Sequence, residues 1–404
     1  MYKTYYLKNG ICLVYEEMPY LKSVSVGIWV KSGSMYETKE ESGISHFIEH
    51  MLFKGTKNRT ARRIAEEMDF AGGQINAYTA RECTCYYTKT LGDNMSLSLD
   101  VLSDMYYNSL FSDEDIELER GVIIEEINMY EDSPEDVALD AVCELMWADN
   151  PLGYRISGTV ESVSGISRSM MLDYFNRRYT PENTVISVAG CFDEAVLIEL
   201  CEKYFSKKAS ETPFILKNVD FVSGEWRRKK DIEQAHLSIA YPAFEHFSDR
   251  IYSLSLLNNI LGGSMSSRLF QSLRENNGLC YSIYSYTGAF EGAGMLGIYA
   301  GLSADMLSPA QKMIDEEIEN LCSNAISDYE LEKARSQLKC AIIMSRESAS
   351  SRMSENGRTQ LLLGKVRTDD EIIKKVSAIT PKDIMRDAND VFNSGKKAVF
   401  ILEN

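Results

Sequence analysis

The chain has 404 residues, a length that suggests two or three domains. Hydrophobic residues make up 44% and charged ones 25%, an ordinary globular balance that argues against disorder. Sixty acidic residues against 43 basic ones leave a formal net charge of −17; that field repels polyanions, so nucleic acid and anionic membrane are poor partners and neither is expected.

At the N-terminus, "MYKTYYLKNGICLVYEE" lacks the basic start, apolar run and small-residue cleavage site of a signal peptide. No window of 18 uninterrupted apolar residues follows, so no membrane-spanning helix is expected. The nine cysteines, scattered from Cys12 to Cys340, form no disulfide framework. A reducing compartment, the cytoplasm, is the expectation.

The first strand-like run, "SVSVGIWVKSG", leads to "HFIEHMLF", His46 to Phe53, which holds two of the chain's four histidines. Residues four apart in a helix share a face. His46 and His50 can therefore point both imidazoles at one ion, with Glu49 beside them. A catalytic zinc takes three protein ligands and keeps a position for water, and a neighbouring carboxylate can accept that water's proton. His-x-x-Glu-His is the inverse of the commoner His-Glu-x-x-His pattern. Donors of this kind also accept manganese or cobalt. The alternative reading is a helix whose histidines cap or pack without a metal.

Next comes "QINAYTARECTCYYTKTL", strand-like throughout. Cys83 and Cys85 fall on one side of it and are expected to be core thiols, since zinc-site cysteine pairs are usually spaced more widely. The acidic helix "SDEDIELERGVIIEEINMY" then offers candidates for a third ligand. At about 100° per residue, Ile116, Val122, Ile123, Ile127, Met129 and Tyr130 define an apolar face. Glu126 lies near its middle and Glu119 almost directly below, while Glu125 falls at the edge and Glu117 points away. Buried carboxylates need a cation, so a metal or a buried arginine must answer them.

An internal repeat organises the rest. "VSGISRSMMLDYFNRRYTPENTVISVAG" from Val163 returns as "VSAITPKDIMRDANDVFNSGKKAVFILEN" from Val376, and "SDEDIELERGVIIEEI" from Ser112 returns as "SDYELEKARSQLKCAI" from Ser327. The two offsets nearly agree, which implies a duplicated domain: 1–212, carrying the metal site, and 213–404, homologous and without one. Each copy mixes strands with grouped helices, so the expected fold is α+β, two tandem domains, each a mostly antiparallel sheet with helices packed on one face. In the second copy Glu119 aligns with Ala334 and Glu126 with Ala341, and the stretch opposite the histidines, Asn259 to Gly263, has no histidine. The fold does not need these residues for packing, which assigns them to chemistry.

Taken together, "GISHFIEHMLFKGT" and the acidic helix resemble the pitrilysin/insulinase family of inverted-motif zinc peptidases, in particular its processing-peptidase-like bacterial branch, over the whole chain. The resemblance implies a zinc endopeptidase with one zinc per chain on His46, His50 and Glu126, the base at Glu49 and Glu119 behind the ligands. It further implies that "AGGQINAYTARE" is an edge strand on which peptide adds as an extra strand, contacting Asn76 and Ala77. In "GGSMSSRLFQSLRENNGLCYSIYS" it implies that Arg274 and Tyr281 hold the peptide carbonyl. Family members of this size form chambers from two chains, so a homodimer acting on peptides is expected. The rival expectation is a non-catalytic or partner-dependent scaffold subunit.

Overall fold

The computed structural model describes residues 2–206 and 218–404, and these form two compact units. The expected seam at 212/213 lies outside the described residues.

The first unit is built on a six-stranded sheet. Its strands are β1 (Lys3–Tyr6), β2 (Cys12–Glu17), β3 (Ser23–Val30), β4 (Gln74–Thr79), β5 (Thr84–Leu91) and β6 (Thr184–Gly190). They lie in the order β1-β2-β6-β3-β5-β4, so β4 is an edge strand. Only β2 and β6 pair in parallel. The central β3 is buried on both sides: Val24, Val26, Ile28 and Val30 join the main core with Ile44, Phe47 and Ile48, whereas Trp29 faces the other way. Alternation of side chains along a strand produces this division.

The second unit carries β7 (Gly224–Lys229), β8 (Ala235–Pro242), β9 (Cys280–Phe290), β10 (Ala293–Leu302) and β11 (Ala398–Glu403) in the order β7-β11-β8-β10-β9. Its one parallel pair is β7 with β11. Apart from β1, this order and these directions reproduce the first sheet strand for strand. The duplication seen in the sequence is therefore a duplication of topology, and the α+β expectation of mostly antiparallel sheets holds.

Neither unit is continuous in sequence. The first comprises Met1–Asn128, Tyr154–Leu216 and Ser345–Arg367, and the second Met129–Gly153, Lys217–Met344 and Thr368–Asn404. Most helices cover one face of each sheet, as expected, and one helix covers the opposite face. In the first unit that bracing helix is Ala349–Leu363, lying on β2, β3 and β6. Its counterpart in the second, Pro134–Met146, lies on β8 and β11 and begins 215 residues earlier in the chain, in keeping with the repeat. Any division at one point of the sequence misses this exchange, because the helix that covers each sheet comes from the other half of the chain.

Small residues let the bracing helix sit close. Met353 stands over Gly27, and Gly357 lies flat against the fully buried Trp29 indole, where a Cβ would run into the ring. Cys12, Cys83, Cys85, Trp29 and Met353 share this cluster, so the two cysteines are core thiols; burial pushes the Cys83 thiol up to about 12.

Alanine normally stabilises a helix interior relative to glycine by about 1 kcal/mol. At Gly357 the indole reverses the sign, and Gly357→Ala is expected to lose roughly 1–3 kcal/mol through overpacking. A thermal melt reads this directly, and a raised Tm would contradict the packing.

Candidate metal centre

The helix Ile44–Leu52 buries Ile44, Phe47, Ile48, Met51 and Leu52 in the core, which leaves His46, Glu49 and His50 together on the remaining side. Its start is closely held. Gly43 adopts φ 91°, a left-handed conformation suited to glycine. A Cβ there would stand 2.7 Å from the Ser157 carbonyl oxygen, and one on Gly158 would stand 2.5 Å from that of Ser42.

No side chain of the N-cap residue serves this helix; Glu37 does so from outside. Its Oε2 accepts the Gly43 amide at 2.8 Å and its Oε1 accepts the Ser45 amide at 2.9 Å. Two free helix-end donors are thereby satisfied, and the carboxylate faces the positive end of the helix dipole. Burial nevertheless pushes the Glu37 carboxyl up to about 7, against the pull of those two amides.

The acidic helix Asp113–Glu131 supplies the other half of the centre. Its buried stripe is Ile116, Glu119, Ile123 and Ile127. This is narrower than the expected apolar face, since Val122, Met129 and Tyr130 are exposed. The helix touches the core along one line only, so those three residues lie beyond its reach. Glu119 and Glu126 still project toward the histidines. Glu126 Oε2 stands 3.7 Å from Nε2 of His46 and 3.7 Å from Nε2 of His50.

Those separations are too long for hydrogen bonds. They are close to what one ion requires: four donors about 2.0–2.1 Å from zinc stand about 3.3–3.4 Å apart. All three ligand atoms lie within 4.8 Å of one another, and they form the one such His/Cys/Asp/Glu group among the described residues. Two imidazoles and a carboxylate are a borderline-to-hard donor set that suits zinc. Burial depresses the His46 pKa to about 4, so its imidazole is neutral, the form that ligates, at neutral pH. The residues present fit the ion.

Glu119 completes the arrangement from behind. Its Oε2 takes the Nδ1 hydrogen of His50 at 3.0 Å, which leaves Nε2 with the lone pair, and its Oε1 meets Lys54 Nζ at 2.5 Å. His46 Nδ1 has no hydrogen-bond partner among the described residues.

Glu49 is held separately, its Oε2 accepting the Thr79 hydroxyl at 2.5 Å. Burial raises its carboxyl above the ordinary range; Thr79 and His50 pull it down, and Glu126 pushes it up again. Glu37, Lys54 and Thr79 escaped the sequence reading. Only Thr79 left a signal, standing two residues past Ala77 and so on the same side of a strand. Asn76 and Ala77 lie on edge strand β4, where the Ala77 amide donates to Asn76 Oδ1 at 2.8 Å.

Arg274 and Tyr281 belong to the second unit, where they meet each other. Phe270–Asn276 forms a π-helical turn, and the Arg274 guanidinium stands 4.8 Å from the Phe270 ring centroid and 5.5 Å from that of Tyr281. Tyr281 is 75% exposed. At the repeat-equivalent of Glu119 the second unit buries Ala334 in its apolar core.

Residues 12–160 match the family Insulinase (Peptidase family M16), and residues 165–338 match the Peptidase M16 inactive domain. A zinc protease of Bacillus subtilis, the uncharacterized YmxG, is 42% identical over 97% of this chain and 96% of its own. An uncharacterized zinc protease of Streptomyces coelicolor is 33% identical over 95% of this chain and 86% of its own. Among solved structures, a protease from Helicobacter pylori superposes with a TM-score of 0.94 at 21% identity, covering 100% of this chain and 99% of the other, which speaks to the fold. Among the described residues no helix is long and apolar enough to cross a membrane.

The Glu37 carboxyl fixes a pH dependence. Its pKa is raised on folding, so the native state holds more protons than the unfolded chain between the ordinary carboxyl range and about 7. Its contribution to stability is full at low pH and is lost as pH rises through that window. The Tm advantage of wild type over Glu37→Gln is therefore expected to shrink between pH 5 and pH 8; an advantage that grows with pH would run against this assignment.

Proposed function

The chain belongs to the insulinase family of peptidases, family M16, and on that footing we propose that it is a zinc endopeptidase acting on unfolded peptides or short polypeptides. The observation that carries the proposal is the convergence of His46, His50 and Glu126 on one point, beside a separately held carboxylate at Glu49.

His46 Nε2, His50 Nε2 and Glu126 Oε2 would hold one zinc per chain. When bound, zinc supplies a Lewis acid that polarises the scissile carbonyl and makes water nucleophilic at neutral pH. Glu49 takes the proton of the attacking water and later returns it to the leaving amine. Its burial-raised carboxyl suits both tasks better than an exposed glutamate would. Glu119 orients the His50 ring and, through Lys54, stays charge-balanced.

Peptide would bind by adding to β4, whose outer edge carries no strand partner among the described residues. There the Ala77 amide, which donates to its neighbour's side-chain oxygen, would turn to a substrate carbonyl, with Asn76 beside it. Backbone recognition of this kind makes little demand on sequence. Arg274 and Tyr281 donate to the peptide carbonyl and to the oxyanion that develops from it. Nine free cysteines accord with placement in the reducing cytoplasm.

We further propose a homodimer, with a metal centre on the first unit of each chain and the second units contributing Arg274 and Tyr281 to the chamber. Light scattering is expected to give twice the chain mass for the active species, and a fully active monomer would overturn this.

Glu49→Gln tests the central assignment. Peptide cleavage is expected to fall by about 10²–10⁴-fold, the usual worth of a general base, while zinc stays at one per chain. Undiminished cleavage would remove Glu49 from the chemistry.

A further inference from the structure

We infer that Thr79 is a positioning residue that ties the edge strand β4 to the general base Glu49. The inference rests on the endopeptidase reading and deepens it, because it concerns how substrate binding and base orientation are joined.

The argument begins with the proton on the hydroxyl. A threonine has one to donate. Two oxygens stand within reach of Thr79 Oγ1: Glu49 Oε2 at 2.5 Å and Thr84 Oγ1 at 3.4 Å. Thr84 already gives its own proton to the Ser32 carbonyl at 2.9 Å. Thr84 can still accept, but the Glu49 oxygen is nearer by 0.9 Å and a carboxylate, once ionised, can only accept, so the Thr79 proton goes to Glu49. With Oε2 held in this way, the carboxylate can turn only so far, and Oε1 is the oxygen left to meet the attacking water.

The strand makes this anchor stiff. Thr79 is the last residue of β4 and β-branched, so its χ1 is restricted. Immediately before it, Tyr78 points to the opposite face and packs edge-on against Trp29, with ring centroids 5.8 Å apart. Ile75 and Ala77 pack on the side of the main core. Both faces of β4 are thus secured, and among the described residues no strand pairs with its outer edge. A peptide that pairs with that edge at Ala77 therefore lies two residues from the anchor of the base, on a strand already fixed on both faces. An interaction that only orients Glu49 acts on kcat rather than on KM.

Thr79→Val keeps the shape of the side chain and removes the proton, whereas Thr79→Ser keeps the proton. In the full-length zinc-loaded protein, Thr79→Val is expected to lower kcat by about 10- to 100-fold, the scale set by a small misplacement of a reacting group. KM and zinc affinity in a chelator competition are expected to stay at wild-type values, and Thr79→Ser to restore most of kcat. Thr79→Ala, which removes the same proton with less bulk, must follow Thr79→Val. A readout independent of turnover is the infrared carboxylate band that disappears in Glu49→Gln: it is expected to shift in Thr79→Val and to return in Thr79→Ser.

An unchanged kcat in Thr79→Val, or a Thr79→Ser variant as slow as Thr79→Val, would overturn the inference while leaving the endopeptidase reading intact. Wild-type protein that cleaves no peptide overturns that reading instead, and the infrared band then decides the Thr79–Glu49 bond by itself.

Discussion

A carboxylate taken out of water must be answered by hydrogen bonds or by a cation, and the acidic helix turns a buried carboxylate, Glu119, and a partly buried one, Glu126, toward the two histidines. Glu119 and Glu126 impose that constraint on the first unit. Glu119 is met by Lys54 and by the Nδ1 hydrogen of His50. Glu126 is left facing two imidazole nitrogens at distances that no hydrogen bond spans and that a divalent ion bridges. The acidic helix and the helix Ile44–Leu52 meet around these charges, while the end of β4 holds Glu49 through Thr79. The Glu37 cap and the glycine contact at Gly43 and Gly158 then fix where the histidine-bearing helix starts.

The second unit shows how little of the fold depends on that constraint. Five strands recur in the same order and directions, yet the position equivalent to Glu119 is Ala334, packed among apolar neighbours. Replacing a buried ionic group by a well-packed apolar one is energetically tolerable. The scaffold is therefore indifferent to the site it carries, and one copy is left to develop a different surface around the π-helical turn that presents Arg274.

Much of this was legible before any coordinates, for identifiable reasons. His46, His50, Glu119 and Glu126 stand at helical spacings, and the repeat exposes them by their absence from the second copy. Glu37, Lys54 and Thr79 act on groups whose nearness only the fold creates: Thr79 is 30 residues from Glu49, and Lys54 is 65 from Glu119. Periodicity also overstated the buried face of the acidic helix, because Val122, Met129 and Tyr130 are apolar without being covered. A hydrophobic pattern reports what a helix can bury, whereas the neighbouring elements decide what it does bury. The exchange of the two bracing helices was hidden for a related reason. The repeat is read along the chain, and packing partners are chosen in space.

That exchange bears on how the protein is made. The sheet carrying β4 is finished in sequence at Gly190, but its back-face cover, Ser345–Arg367, leaves the ribosome more than 150 residues later. Domains ordinarily fold in order as they are synthesised. Here Met353 and Gly357, which pack on Gly27 and Trp29, come late in the chain, after most of the second copy. The edge strand β4 leans through Tyr78 on Trp29, the ring that Gly357 covers. The back of the first sheet is thus closed by a helix that follows its last strand by more than 150 residues.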